Sequence, residues 1–271
     1  MINAGMVTLE TLLSGPILVF DSGIGGLSVM SEIRKLLPQY DYCYLFDNAR
    51  LPYGNLSEQE LIQGCVSLIT YHAKRLNACI VVVACNTAST LVLPELRRQL
   101  SIPIVGVVPA IKPAAMLSKK KHIGLLATSG TVKRDYTHEL IQQFAEGCKV
   151  ELFGSSELVL LAEQYVGQIP IDRLKLKQLL LPIIATDIDV LVLGCTHFPM
   201  IAAEISRCLG THVTLLDSGE AVAKRVRFLL SKEQQGNKYL HACYTKGISA
   251  GLKEALVDYG FSDFSLVSIT D

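Results

Sequence analysis

A chain of 271 residues, half of them hydrophobic and only 18% charged, can bury a sizeable core as one large domain or two moderate ones. Lysine plus arginine balances aspartate plus glutamate at 25 each, which excludes a strong field drawing the chain to nucleic acid or an anionic membrane. Eight cysteines without a CxxC pair are too sparse for a disulfide scaffold and read as free thiols in a reducing compartment. The first 15 residues lack the charged start and apolar core of a signal peptide, and no apolar run reaches the roughly 18 residues of a membrane span. A soluble, cytoplasmic protein with no nucleic-acid or membrane partner is expected, and "KKK" at 119–121 reads as a solvated turn.

In chain order, strands are predicted at "PILVF" (16–20), "YCYLF" (42–46), "IVVVA" (80–84), "PIVGVV" (103–108), "HIGLLA" (122–127), "KVELFG" (149–154), "DVLVLG" (189–194) and "HVTLLD" (212–217). Amphipathic segments such as "LSVMSEIRKLL" and "RDYTHELIQQFA" lie between several of them. Short apolar runs alternating with helical patterns indicate βαβ units around a mainly parallel sheet.

The chain also repeats itself. "ILVFDSG" aligns with "IGLLATSG", so that Ser22 meets Ser129, and "VVVACNT" aligns with "LVLGCTH", so that Cys85 meets Cys195. Any two βα units share apolar strands, but a cysteine at the same strand end in both copies points to internal duplication. The fold class expected is therefore α/β, with two pseudo-symmetric, mainly parallel-sheet domains and an active site in the cleft between them. The first domain would comprise 1–108 plus 219–271, carrying Asp21 and Cys85. The second would comprise 109–218, carrying Glu163, Cys195 and His197.

Ligands of open α/β sheets bind outside the carboxyl ends of the strands, where Asp21, Cys85, Thr128 and Cys195 all fall. Cys43, Cys65, Cys79, Cys148, Cys208 and Cys243 read as small buried hydrophobes, whereas Cys85 and Cys195 have polar neighbours. A thiol needs a base or a helix N-terminus to become a useful thiolate, and Asp21 and His197 are the obvious partners. Two thiols facing one carbon suit inversion of that carbon, since one can remove a proton from one face while the other delivers a proton to the opposite face. Asn86, Thr87 and Thr196 add neutral groups able to hold an ammonium–carboxylate head. Zinc competes poorly at this pair, because Cys85, Cys195 and His197 come without a close-spaced ligand motif.

"FDSGIGGLS" (20–28) is a glycine-rich strand-to-helix turn, but Ser28 stands where a dinucleotide fingerprint needs its third glycine. Its helix N-terminus can still hold a carboxylate, although a lone Asp21 is more often a helix cap. "DNARLPYG" (47–54) has the turn chemistry of Pro52 and Gly54, with a hydroxyl from Tyr53. Glu163 lies on an amphipathic helix and by periodicity faces solvent.

Taken together, "FDSGIGGLSV", "DNARLPYG", "ACNTAS", "GVVPAIKPA", "ATSGTV" and "LGCTHFP" resemble the glutamate racemases of the aspartate/glutamate racemase superfamily, in the same order and over residues 16 to about 219. The resemblance implies direct interconversion of L- and D-glutamate, with no cofactor (no pyridoxal phosphate) and no metal, supplying D-glutamate for peptidoglycan. It implies that Cys85 deprotonates D-glutamate and Cys195 L-glutamate, assisted by Asp21 and His197 respectively. Ser22, Pro52, Tyr53, Gly54, Asn86, Thr87 and Thr196 map onto substrate-binding positions, and Glu163 onto an acidic position near the substrate ammonium. The resemblance also implies a homodimer.

Three departures stand out. Phe198 replaces a common tyrosine, "GSSELVLLAEQ" replaces a cysteine–proline version of that segment, and the chain begins about ten residues earlier than many members. Such extensions resemble those of members activated by a UDP-linked muramyl-peptide precursor, and the same regulation is expected here. Three rival readings are an aspartate racemase of the same superfamily, a hydrolase or acyltransferase using Cys195 and His197, and an amino-acid-binding protein. The hydrolase leaves Cys85 without a role, and the binding protein would never exchange the substrate α-proton.

Overall fold

The structure is a computed structural model that describes residues 15–230 and 236–268. Its first part runs β1 (Ile17–Asp21), α1 (Leu27–Leu36), β2 (Tyr42–Phe46), α2 (Glu58–Arg75), β3 (Ile80–Val83), α3 (Asn86–Ser89), α4 (Leu93–Gln99) and β4 (Ile104–Gly106). There follow α5 (Ile111–Leu117), β5 (His122–Ala127), α6 (Ser129–Val132), α7 (Asp135–Phe144), β6 (Lys149–Gly154), α8 (Glu157–Val166), α9 (Arg173–Ile184), β7 (Val190–Leu193), α10 (Ala202–Leu209) and β8 (Thr214–Leu216). The tail adds α11 (Gly219–Leu229), β9 (Leu240–Tyr244), α12 (Ala250–Asp258) and β10 (Asp263–Leu266).

Two sheets result. The order of the first is β10-β9-β2-β1-β3-β4, that of the second β6-β5-β7-β8, and every pairing is parallel. The stretch β2-β1-β3-β4 and the whole second sheet share one winding, β5 standing for β1 and β7 for β3. That matches the repeat read from the cysteines. The tail strands extend only the first copy.

Both faces of the first sheet are covered, so its central strands are uninterrupted apolar runs. Alternate residues serve opposite faces. Ile17, Val19, Tyr42, Tyr44, Ile80 and Val82 pack with α1, α11 and α12 residues such as Ile33, Val226 and Leu256. Leu18, Phe20, Cys43, Leu45, Val81 and Val83 pack with Leu61, Leu68 and Ile69 of α2 and Leu96 of α4. In the second sheet, Leu191 and Leu193 face α8, α9 and α10, while Val190 and Val192 face α5.

The predicted strands 42–46, 122–127 and 149–154 match in full, 16–20 is shifted by one residue to Ile17–Asp21, and the others are shorter than their apolar runs by one to three residues in total. Lys119, Lys120 and Lys121 lie exposed in the turn before β5, where the Lys119 and Lys120 amides donate to Asp189. Cys148 and Cys208 depart from the buried reading: both are half-exposed, one ahead of the edge strand β6 and one in the last turn of α10. Among the described residues no helix is long and apolar enough to cross a membrane. The early start of the chain lies outside the described residues.

Candidate active site

The carboxyl ends of β1, β3, β5 and β7 bring the predicted residues together from both sheets. Asp21 ends β1 and is fully buried. Its Oδ1 accepts from the Gly23 amide at 3.0 Å and from Ser22 Oγ at 3.4 Å, and its Oδ2 from Thr196 Oγ1 at 3.0 Å. Cys85 sits at the N-cap of α3, and its Sγ donates to Ser22 Oγ at 3.7 Å.

Cys195 follows β7, with Sγ 3.7 Å from Nδ1 of His197. The other ring nitrogen, Nε2, lies 2.6 Å from Glu163 Oε1, which also accepts the Ile24 amide at 2.7 Å. Glu163 is thus not the solvent-facing helix residue that periodicity suggests. It joins α8 to the β1–α1 turn and holds the imidazole from behind. Thr87 bridges the halves as well, its Oγ1 lying 3.0 Å from that of Thr128 and 3.1 Å from that of Thr131.

The turns fit this closeness. A Cβ on Gly23 would fall 2.1 Å from Glu163 Oε1, and one on Gly54 2.7 Å from Ser156 Oγ and 2.8 Å from Thr128 Cβ. Pro52 follows a cis peptide bond and leads Tyr53 and Gly54 to the rim of the second half. The Tyr53 hydroxyl is spent on Asp47 Oδ2 at 2.5 Å, a carboxylate that also takes Arg50 and Thr245. The 52–54 loop therefore meets the cleft through its backbone.

Electrostatics divide the site in two. Burial raises the Asp21 carboxyl above its ordinary range, against the pull of His197 and the donors from Gly23 and Thr196. Burial pushes the Cys85 thiol well up, and the Asp21 charge adds to this. Burial alone would lower the His197 imidazole, but its hydrogen bonds to Cys195 and Glu163 outweigh it and hold the ring well above its usual value. One side of the cleft thus keeps its proton on sulfur, and the other keeps one on the imidazole beside sulfur.

Two buried polar atoms here lack hydrogen-bond partners among the described residues: Asn86 Oδ1 and Ser156 Oγ. Leaving such an atom unpaired costs about 1–3 kcal/mol, a cost that a polar ligand between the halves would remove. Asn86 is among the predicted binding residues. Ser156 is not, although it lies in the "GSSELVLLAEQ" segment that departs from the resemblance. Beside Asn86, Cys195 and Thr196 lies a cavity of about 10 Å³, room for one water. Cys85 and Cys195 are only 4% and 6% exposed.

The model of the Asp/Glu/Hydantoin racemase family matches residues 17–226. The chain belongs to that family. It is 82% identical over 259 residues to the glutamate racemase of Shewanella frigidimarina, covering 96% of this chain and 100% of that one. In structure it resembles Escherichia coli glutamate racemase, solved with L-glutamate and the activator UDP-MurNAc-ala, at a TM-score of 0.88 and 43% identity over 94% of this chain and 98% of that one. The Francisella tularensis glutamate racemase, solved with D-glutamate, matches at a TM-score of 0.78 and 25% identity, with 94% and 98% covered. The two parallel sheets are thus those of a racemase-family fold.

Proposed function

We propose that this family member is a glutamate racemase working by two-base proton transfer at Cα, without a cofactor or metal in the chemical step. The observation that carries the reading is the placement of Cys85 and Cys195 at equivalent strand ends of two sheets with the same winding. Each sulfur has its own polar partner: Ser22 beside Asp21 for one, His197 for the other. With L-glutamate, Cys195 takes the Cα proton as a thiolate and the Cys85 thiol delivers its proton to the opposite face. With D-glutamate the roles exchange. The proton left on one sulfur and missing from the other is restored through His197 and Asp21.

In this reading Ser22, Asn86, Thr87 and Thr196 hold the amino-acid head, joined by the backbone of Pro52, Tyr53 and Gly54. Glu163 keeps His197 oriented and charged, a positioning role in place of direct contact with the ammonium. The domain division at 108/109 and 218/219 belongs to the same proposal, supported by β9 and β10 joining the first sheet. So do a cytoplasmic location, a homodimer, supply of D-glutamate to peptidoglycan, and activation by a UDP-linked muramyl peptide. The likeness to the E. coli enzyme solved with its activator supports the last of these; assay with and without UDP-MurNAc-ala checks it, and full activity unchanged by that compound removes it.

The central test incubates the protein with L- and, separately, D-glutamate in deuterated water, for wild type, Cys85→Ala and Cys195→Ala. Wild type is expected to invert the substrate and wash deuterium into Cα, and each variant to lose inversion by about 10²-fold or more. Glutamate that keeps its proton in every sample overturns the reading.

A further inference from the structure

Away from the cleft, one group of side chains is not used by this chemistry. Cys43 on β2 and His241 and Cys243 on β9 place a sulfur, an imidazole nitrogen and a second sulfur all within 4.8 Å of one another, the one such cluster of potential metal ligands among the described residues. The register explains how. Cys43 lies opposite His241, and Cys243 is two residues further along β9, so all three share one face of the sheet. On β10, Asp263 lies opposite His241 and Ser265 opposite Cys243, which adds two oxygen-bearing side chains to the same rows.

The distances decide what such a group can hold. In a tetrahedral zinc site, Zn–S bonds of about 2.3 Å and Zn–N bonds of about 2.0–2.1 Å separate two sulfurs by about 3.8 Å, and sulfur from nitrogen by about 3.6 Å. Here Cys43 Sγ and Cys243 Sγ are 3.8 Å apart, and Cys243 Sγ is 3.8 Å from His241 Nδ1 and 3.6 Å from Nε2, the latter also 2.8 Å from Ser265 Oγ and so held by it while Nδ1 stays open to a metal. A disulfide fits worse. Residues one strand and two positions apart have Cα atoms about 8 Å from each other, given about 4.8 Å between strands and 3.3 Å rise per residue, while a disulfide spans no more than about 7 Å.

We propose that Cys43, His241 and Cys243 form a zinc site that fastens the tail strand β9 to β2, across a sequence separation of 200 residues between the two cysteines. Two thiolates and an imidazole suit this borderline-soft cation. The fourth position falls to a water or to an oxygen from Ser265 or Asp263. His241 is half-buried while both cysteines are buried, so the cation enters from the His241 side. Neither β9 nor the cluster was visible in the sequence, where "HACY" has no ligand partner nearby.

The test uses the full chain carrying Cys85→Ser and Cys195→Ser, so that the cleft cannot supply the thiolates. After treatment with a chelator, titration with zinc is expected to take up about one equivalent per chain, and cobalt in its place to show thiolate-to-metal charge-transfer absorption. Adding Cys243→Ser or His241→Ala should weaken uptake at least about tenfold. Should those variants fail to fold, alkylation mapped by mass spectrometry in the parent chain decides, with zinc expected to slow labelling of Cys43 and Cys243 but not of half-exposed Cys208. Uptake well below one equivalent, uptake unchanged by loss of a ligand, or equal labelling with and without zinc overturns the proposal.

Discussion

The Asp21 carboxyl accepts the Thr196 hydroxyl at 3.0 Å across a separation of 175 residues, so the turn beside one thiol is bolted to the loop that carries the other. Such a link makes the spacing between the two sulfurs a property of side chains rather than of either sheet alone.

Replacing Thr196 with valine keeps the volume and deletes the donor. Asp21 is fully buried, and an acceptor left unpaired there costs about 1–3 kcal/mol. Urea unfolding of Thr196→Val should show that loss, with Thr196→Ser close to wild type. Equal midpoints for the valine and serine variants would mean that the bond adds nothing to stability.

Glu163→Gln retains an oxygen for the Ile24 amide but removes the charge that faces His197 Nε2 at 2.6 Å. The imidazole should then lose its proton at lower pH, and the alkaline limit of kcat/KM should shift downward along with a fall of about 10²-fold. A purely structural glutamate would lower the amount of active protein and leave the shape of the pH profile alone. The profile is the measurement that separates the two.

Much of this architecture could be read from residues alone, for a physical reason. The strands β2 and β5 matched in full because a strand in a parallel sheet covered on both faces needs little beyond apolar residues; edge strand β6 matched because its Lys149, Val150, Glu151 and Leu152 alternate. Cys85 and Cys195 stood out because duplication put one residue type at two strand ends. What escaped notice depends on partners far away in sequence. Tyr53 looks like a free hydroxyl until Asp47 takes it up, a carboxylate whose other oxygen is held by Thr245, 198 residues on. Glu163 follows a helical period that faces solvent until Ile24, 139 residues back, reaches it. The strands β9 and β10 mix polar and apolar residues because they serve the outer part of the first sheet, and β10 is its half-exposed edge.

Gly25 is where the turn after β1 comes against the backbone of the β7 loop. A Cβ there would fall 2.5 Å from His197 Nδ1, 2.7 Å from the His197 backbone nitrogen and 2.7 Å from Thr196 Oγ1. Backbone cannot swing aside as a long side chain does, so Gly25→Ala must push the β7 loop away from the β1–α1 turn. Overpacking of this kind costs about 1–3 kcal/mol, and the shift should separate Thr196 from Asp21. Thermal unfolding and kcat should both fall; an alanine variant with wild-type kcat would show that the halves need not approach this closely during turnover.

The held proton on His197 also sets how stability depends on pH. An unfolded histidine titrates near 6.5, whereas buried His197 keeps its proton to well above that, because its bonds to Cys195 and Glu163 outweigh burial. Between those two values the native state binds more protons than the unfolded chain. The histidine's contribution is therefore complete below about pH 6.5 and is lost as pH rises through the native value, at up to about 1.4 kcal/mol per pH unit. Asp21 and Cys85 are also raised and act in the same direction. The Asp21 window opens from the carboxylate range, and the Cys85 window only above about pH 8.5. Urea unfolding at several values from about pH 6.5 to 8 should thus show wild type losing stability with rising pH, and His197→Asn losing distinctly less. Parallel slopes for the two proteins would place the extra proton elsewhere.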